Sequence, residues 1–234
     1  MEGRFSQGVL EEINAELDRK PTRPIRRLSS WPIVRTFVYI DVSDFSKAKT
    51  GQQALIIRAI ISLVEQDNLW KRAIGLVSDV TQTEAMLCIG DGYIFVFDDP
   101  VKATYFAAYL AQLIESSIAL KKVVEFHFRM GVHTGLVFNF WDPGRNFWNY
   151  TGDGINGGNR VISAIGKDAD DIVFISAQVR KRLIGVRDGI SPDILAHTQN
   201  RGRRADKHGN FWRVYELNHA GLTDDHMPDE LRQS

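Results

Sequence analysis

Met86-Leu87-Cys88-Ile89-Gly90-Asp91-Gly92-Tyr93-Ile94-Phe95-Val96-Phe97 sets two apolar runs, Met86–Ile89 and Tyr93–Phe97, on either side of Gly-Asp-Gly. An Asp-Gly pair between such runs signals a β-hairpin, because glycine reaches positive φ without steric cost. The hairpin tip then carries one carboxylate, Asp91. On this stretch alone Asp91 need be no more than a turn residue. A second stretch changes the balance. Val34–Asp41, VRTFVYID, runs from β-branched and aromatic residues into another acid, followed by Val42-Ser43-Asp44-Phe45-Ser46. A strand ending in one carboxylate beside a hairpin tipped with another sets two acids at one sheet edge. That is the minimum a Mg²⁺ or Mn²⁺ site needs when phosphate oxygens complete the shell.

The chain has 234 residues, 44% hydrophobic and 25% charged, the proportions of a globular protein with one sizeable core. Its 29 basic and 29 acidic side chains cancel. General nucleic-acid binding and membrane-surface binding, which rest on a basic excess, are therefore not expected. Cys88 is the lone cysteine; it has no internal disulfide partner, fits a reducing compartment and reads as a small core residue. No apolar run reaches the roughly 20 residues that span a bilayer, and MEGRFSQ carries no signal-peptide core, so a cytoplasmic location is expected.

In chain order, Gly8–Lys20 has modest helical periodicity, and a linker with Pro21, Pro24 and Pro32 and with Arg23, Arg26 and Arg27 follows. Residues 1–32 are thus a helix and basic arm, 33–218 the main domain and 219–234 a polar tail. Gly51–Trp70 predicts a helix with Leu55, Ile56, Ala59, Ile60 and Leu63 on its apolar face. Ser78–Glu84 reads as a polar loop or strand end. Pro100 opens a long helix over Val101–Leu120. Val123–Phe138 predicts a strand, with Gly131 and Gly135 marking a bulge or close backbone approach. His133 between them reads as a structural donor rather than a base. Asn139–Asn149 reads as a loop. Gly152-Asp153-Gly154-Ile155-Asn156-Gly157-Gly158 leads into a helix with Asp153 as its cap. Asn156 and Arg160 share one face at i, i+4. A Gly-rich turn into a helix also suits phosphate, although alone it is a weak signal. Ile172–Ser176 predicts a strand, Ala177–Leu183 a helix, and Phe211–Leu217 a last strand after the basic run Arg201–Arg204. Alternating strands and helices around an antiparallel hairpin give an α+β sandwich, a ferredoxin-like mixed sheet with helices on one face.

Four stretches, in order, resemble the class III nucleotidyl cyclases, the catalytic domains of adenylate and guanylate cyclases. Phe37–Ser46 resembles the first metal motif, with Asp44 where glycine is usual, and Ile89–Phe97 resembles the second. Arg129–Gly135, RMGVHTG, resembles the family strand RIGIHTG, and Gly152–Arg160, GDGINGGNR, resembles GDxVNxAxR. The resemblance spans about Val34 to Leu217. It implies that Asp41, Asp91 and the Val42 carbonyl hold two divalent cations, Mg²⁺ or Mn²⁺. It implies that Asn156 orients the ribose, Arg160 stabilises the pentavalent phosphorus and Lys207 meets the triphosphate. Phe45, Leu87 and Asn149 would contact substrate. It also implies a head-to-tail homodimer with shared sites, the aspartates from one chain and Asn156 and Arg160 from the other. The expected reaction is attack of a nucleoside triphosphate's 3′-hydroxyl on its α-phosphate, with loss of pyrophosphate.

The purine selectors differ. Adenylate cyclases of the family carry lysine where this chain has Leu87, and aspartate or threonine where it has Asn149. Guanylate cyclases carry glutamate and cysteine at these places. Leucine donates nothing to a purine edge, and a lost buried partner costs about 1–3 kcal/mol. Trp141, Phe147, Trp148 and Tyr150 would fill space that a purine needs. The chain resembles the stand-alone pyrimidine cyclases of the bacterial antiphage system Pycsar, which implies UTP ahead of CTP and a separate cyclic-nucleotide-responsive effector. A relaxed purine cyclase and a catalytically inactive nucleotide-binding module remain the alternatives.

Overall fold

The computed structural model describes residues 32–66, 86–142, 147–166, 169–185 and 191–222. The helix expected over Gly8–Lys20, its basic linker, the Ser78–Glu84 loop and the tail beyond 222 lie outside these residues. The strands are β1 (Ile33–Val42), β2 (Met86–Cys88), β3 (Gly92–Phe97), β4 (Phe128–Asp142), β5 (Phe147–Thr151), β6 (Ile172–Ser176), β7 (Thr198–Ala205) and β8 (Phe211–Leu217). The helices are α1 (Thr50–Gln66), α2 (Pro100–Ala119), α3 (Asp153–Ile165), α4 (Ala177–Gly185) and α5 (Ser191–Ala196). The sheet runs β2-β3-β1-β4-β6-β8-β7, with β5 added to the far end of β4. All pairs are antiparallel except β4 with β6.

The opening stretch folds as its pattern dictates. Cys88 faces Tyr93 and Met86 faces Phe95 across the hairpin, and Gly90, at φ 96°, makes the turn that non-glycine residues resist. β1 is central and buried on both faces. Val38, Ile40 and Val42 join the main core with α1, α2, α4 and α5, while Phe37 and Tyr39 join a second cluster with Leu87, Tyr150 and α3's Ile162. Each fully buried side chain of this kind contributes about 1.5–3 kcal/mol. The mixed sheet with helices is as expected, but the helices do not all lie on one face. α3 alone covers the opposite face, and its glycines allow it. A Cβ at Gly154 would crowd the Gly135 backbone, one at Gly157 the His133 ring and one at Gly158 the Tyr39 ring. These glycines serve close packing of helix on sheet.

Several local readings are corrected. Cys88 is exposed, not core, because β2 is an edge strand whose alternation turns Leu87 inward and Cys88 outward. Leu55 is exposed; Val64 completes the buried face of α1 instead. β4 begins at Phe128 rather than Val123 and continues to Asp142. The expected loop Asn139–Asn149 is largely a hairpin of β4 and β5, in register through Trp141 and Trp148. Asp153 is the first residue of α3 rather than its cap; Gly152, at φ 131°, holds the cap position. The basic run Arg201–Arg204 lies in β7, an exposed edge strand. Asp99 caps α2 by accepting from the Val101 amide at 2.7 Å.

Candidate active site

The face that α3 leaves uncovered holds a cleft of about 930 Å³. Its floor is apolar, made by Tyr39, Leu87, Ile94, Tyr150, Ile155 and Ile162. Asp41, Asp91, Arg129, Asn149, Asn156, Asn159, Ser163, Asp206 and Lys207 also line it. Of the residues singled out in the sequence, Asp41, Asp91, Leu87, Asn149, Asn156 and Lys207 are therefore brought together. The pairing of β1 with β3 explains the first two: Asp41 is opposite Gly92, and the Val42 amide donates to the Asp91 carbonyl at 3.2 Å. Phe45 is not among the lining residues. It starts a short 3₁₀ turn and packs partly against the main core, on the other side of the sheet. Trp141 is not among them either, whereas Tyr150 is. Arg160 sits beside the cleft, its guanidinium turned onto Asp206.

Arg129 is paired with Asp41 and donates its other Nη to the Gly166 carbonyl at 2.9 Å. Burial raises the Asp41 carboxyl, Arg129 pulls it back and the nearby Asp91 raises it further; the net direction is upward. A carboxyl whose proton affinity a neighbouring carboxylate raises marks a place for positive charge. Asp41, Asp91 and the Val42 carbonyl offer oxygen donors only, which fits Mg²⁺ or Mn²⁺ and not a soft metal. Among the described residues no cluster of three or more His, Cys, Asp or Glu forms a complete cage.

Arg129, Tyr39, Asn159, Ser163 and Asp206 line the cleft in addition to the residues expected from the motifs. Signals existed for three of them. Tyr39 precedes Asp41 by the strand period of two, whereas Arg129 meets Asp41 only through the β1–β4 register. Asn159 and Ser163 follow Asn156 at i+3 and i+7 on one helix face. Asp206 had no signal, because its donors come from both the β7–β8 turn and α3. Its side chain is 0% exposed. Oδ1 accepts from the His208 and Asn210 amides at 2.8 and 2.9 Å. Oδ2 accepts from Arg160 Nη1 and Trp212 Nε1, each at 3.1 Å, and from Asn210 Nδ2 at 3.3 Å. Enclosure works against the charge, but these donors outweigh it and hold the carboxyl well below the usual range.

His133 lies under α3 rather than in the cleft. It is 4% exposed, its Nδ1 has no hydrogen-bond partner, and its ring meets Trp212 edge-on at 5.7 Å. Burial pushes its pKa from 6.5 down to about 4, against a small opposing pull from Asp153. The folded state therefore holds fewer protons here than the unfolded state. The stability this neutral ring contributes is complete above pH 6.5 and is lost as pH falls toward 4. That loss amounts to about 3 kcal/mol for a shift of this size. Chemical unfolding from pH 7 to 4 should show wild type losing stability relative to His133→Leu by that amount. Parallel pH curves for the two would refute it.

Among the described residues, no helix is long and apolar enough to cross a membrane. No protein-family model matches the chain, and no curated protein matches it. Solved structures do. The adenylyl cyclase CyaB from P. aeruginosa aligns with TM-score 0.58 and 16% identity over 82% of this chain and 95% of that one. An adenylate cyclase from Trypanosoma brucei, in its monomeric state, aligns with TM-score 0.59 and 14% identity over 80% and 88%. The guanylate cyclase domain of RhGC from Catenaria anguillulae, in complex with GTP, aligns with TM-score 0.58 and 18% identity over 79% and 96%. Identities this low speak for shared architecture alone. The chain has the fold of the adenylyl and guanylyl cyclase catalytic domains.

Proposed function

We propose that this protein is a nucleotidyl cyclase that converts a nucleoside triphosphate, UTP ahead of CTP, into a 3′,5′-cyclic nucleotide and pyrophosphate. The observation that carries the reading is one cleft lined by Asp41 and Asp91 from β1 and the β2–β3 turn and by Asn156 and Lys207 from α3 and the β7–β8 turn, so that two chains set head to tail would bring the carboxylates of one against the amide and lysine of the other. The 3′-hydroxyl attacks the α-phosphorus, a P–O bond forms, the bond to the β-phosphate oxygen breaks and the hydroxyl proton is released. A divalent cation pair at Asp41, Asp91 and the Val42 carbonyl would neutralise phosphate charge and acidify that hydroxyl. Asn156 holds the ribose, Lys207 the outgoing pyrophosphate, and Arg160 the charge that builds on the transferring phosphoryl group. The protein acts as a head-to-tail homodimer, and its product signals to a separate effector in antiphage defence.

Base choice rests on Leu87 and Asn149. Leu87 joins Tyr150 in the apolar floor, which suits a ring face and offers no donor. The Tyr150 amide donates to Asn149 Oδ1 at 2.8 Å, so the amide nitrogen is the group left to meet the base. A donor there favours a base carbonyl, as uracil presents at O4, over the amino group of cytosine. Purified protein with ATP, GTP, CTP and UTP in Mn²⁺ should give cyclic UMP as the main product. Asn149→Asp, which replaces the donor with an acceptor, should move the UTP:CTP ratio of kcat/KM toward CTP by roughly tenfold or more. Cyclic AMP as the main wild-type product would overturn the pyrimidine assignment.

A further inference from the structure

We infer that Asp206 is a positioning residue for Arg160: a prebuilt carboxylate in the β7–β8 turn that fixes one edge of the guanidinium and aims the other at the substrate phosphates. The inference rests on the cyclase reading for what Arg160 does, and on geometry for how it is held. Four donors other than Arg160, namely the His208 and Asn210 amides, Asn210 Nδ2 and Trp212 Nε1, already satisfy the Asp206 carboxylate. Its place and charge therefore do not depend on Arg160. The arginine docks on a finished acceptor through Nη1 and keeps Nε and Nη2 for a second partner. Its side chain is 37% exposed, as a group poised at the edge of a cleft should be. An arginine loses substantial rotamer freedom on binding; anchoring one edge beforehand removes part of that cost and sets the plane of the fork that phosphate oxygens meet.

The same turn sets the second cation. The Lys207 amide donates to Ser163 Oγ at 2.8 Å, and Ser163 is one helical turn beyond Arg160 on α3. Turn and helix are thus clamped at two points three residues apart. Arg160 and Lys207 keep one spacing, whatever the substrate does.

The test follows the Arg160 guanidinium by ¹⁵N NMR, its signals assigned by their loss in Arg160→Lys, alongside turnover with Mn²⁺. Wild type should show resolved, slowly exchanging Arg160 resonances. Asp206→Asn should collapse them to the free-arginine position and lower kcat roughly tenfold to a hundredfold, with KM changed less than about threefold. Arg160 signals that survive Asp206→Asn, an equal loss in kcat and KM, or a rise in kcat would each overturn the inference. The last would make the ion pair a restraint that turnover has to break. Should Asp206→Asn fail to fold, Trp212→Phe, which removes one donor from the same oxygen, should broaden the Arg160 signals and lower kcat several-fold; no change in either overturns the inference. Wild type that cyclises no triphosphate overturns the cyclase reading and the catalytic part of this one, while the NMR arm still decides whether Asp206 holds Arg160.

Discussion

Asp91→Asn should abolish turnover of every nucleoside triphosphate, by about a thousandfold or more, while leaving the protein folded. The substitution keeps size and turn preference at the hairpin tip, since asparagine serves such turns as well as aspartate. The backbone contact that ties this turn to β1, from the Val42 amide to the Asp91 carbonyl, does not involve the side chain. Asp41 keeps its ion pair with Arg129. What is lost is one of the two charges that make the sheet edge a cation site. Charge stabilisation of several kcal/mol at a transferring phosphoryl group corresponds to three or more decades in rate, at about 1.4 kcal/mol per decade. Product formation in Mn²⁺ and the unfolding midpoint, measured together, check both halves. If wild type and variant are equally inert with all four nucleotides, the chain is a nucleotide-binding module and not an enzyme.

The parts of this molecule that the sequence made legible are those whose signals are local. Gly90 and Gly92 mark the hairpin turn, Pro100 marks the start of α2, and the apolar runs of β1, β6 and β8 set their own limits to within a residue or so. β7 was not legible, because an edge strand with most of its side chains in solvent carries no apolar alternation; only its pairing with β8 makes it a strand. The β4–β5 hairpin was obscured for a related reason: its aromatic residues alternate too weakly to announce two strands. The site divides along the same line. Asp41, Asp91 and Asn156 sit in motifs short enough to recognise, whereas Lys207 lies outside them. Arg129 and Asp206 matter through partners far along the chain, at 88 and 46 residues' separation, and their own neighbours in sequence say nothing of them.

Gly158→Ala is the substitution in which packing and chemistry should fail together. In an exposed helix this exchange would gain about 1 kcal/mol. Here the new methyl would fall inside the ring of Tyr39, which is buried and held by its hydroxyl's hydrogen bond to the Ile155 carbonyl. The ring has no room to turn away, so α3 must lift from β1. Overpacking of a rigid core costs about 1–3 kcal/mol, occasionally more, and this case belongs at the upper end because both sides of the contact are fixed. The helix that lifts carries Asn156, Asn159, Arg160 and Ser163. A displacement near 1 Å at groups that align a reacting phosphate costs roughly a hundredfold in rate. Gly158→Ala should therefore lower both the unfolding midpoint and kcat. Tyr39→Leu, destabilising by itself through the lost hydroxyl bond and ring, should recover much of both in the double variant, because the methyl then has space. A double-mutant cycle that proves additive, or a Gly158→Ala protein as stable and active as wild type, would show that α3 and β1 are not in contact at this point.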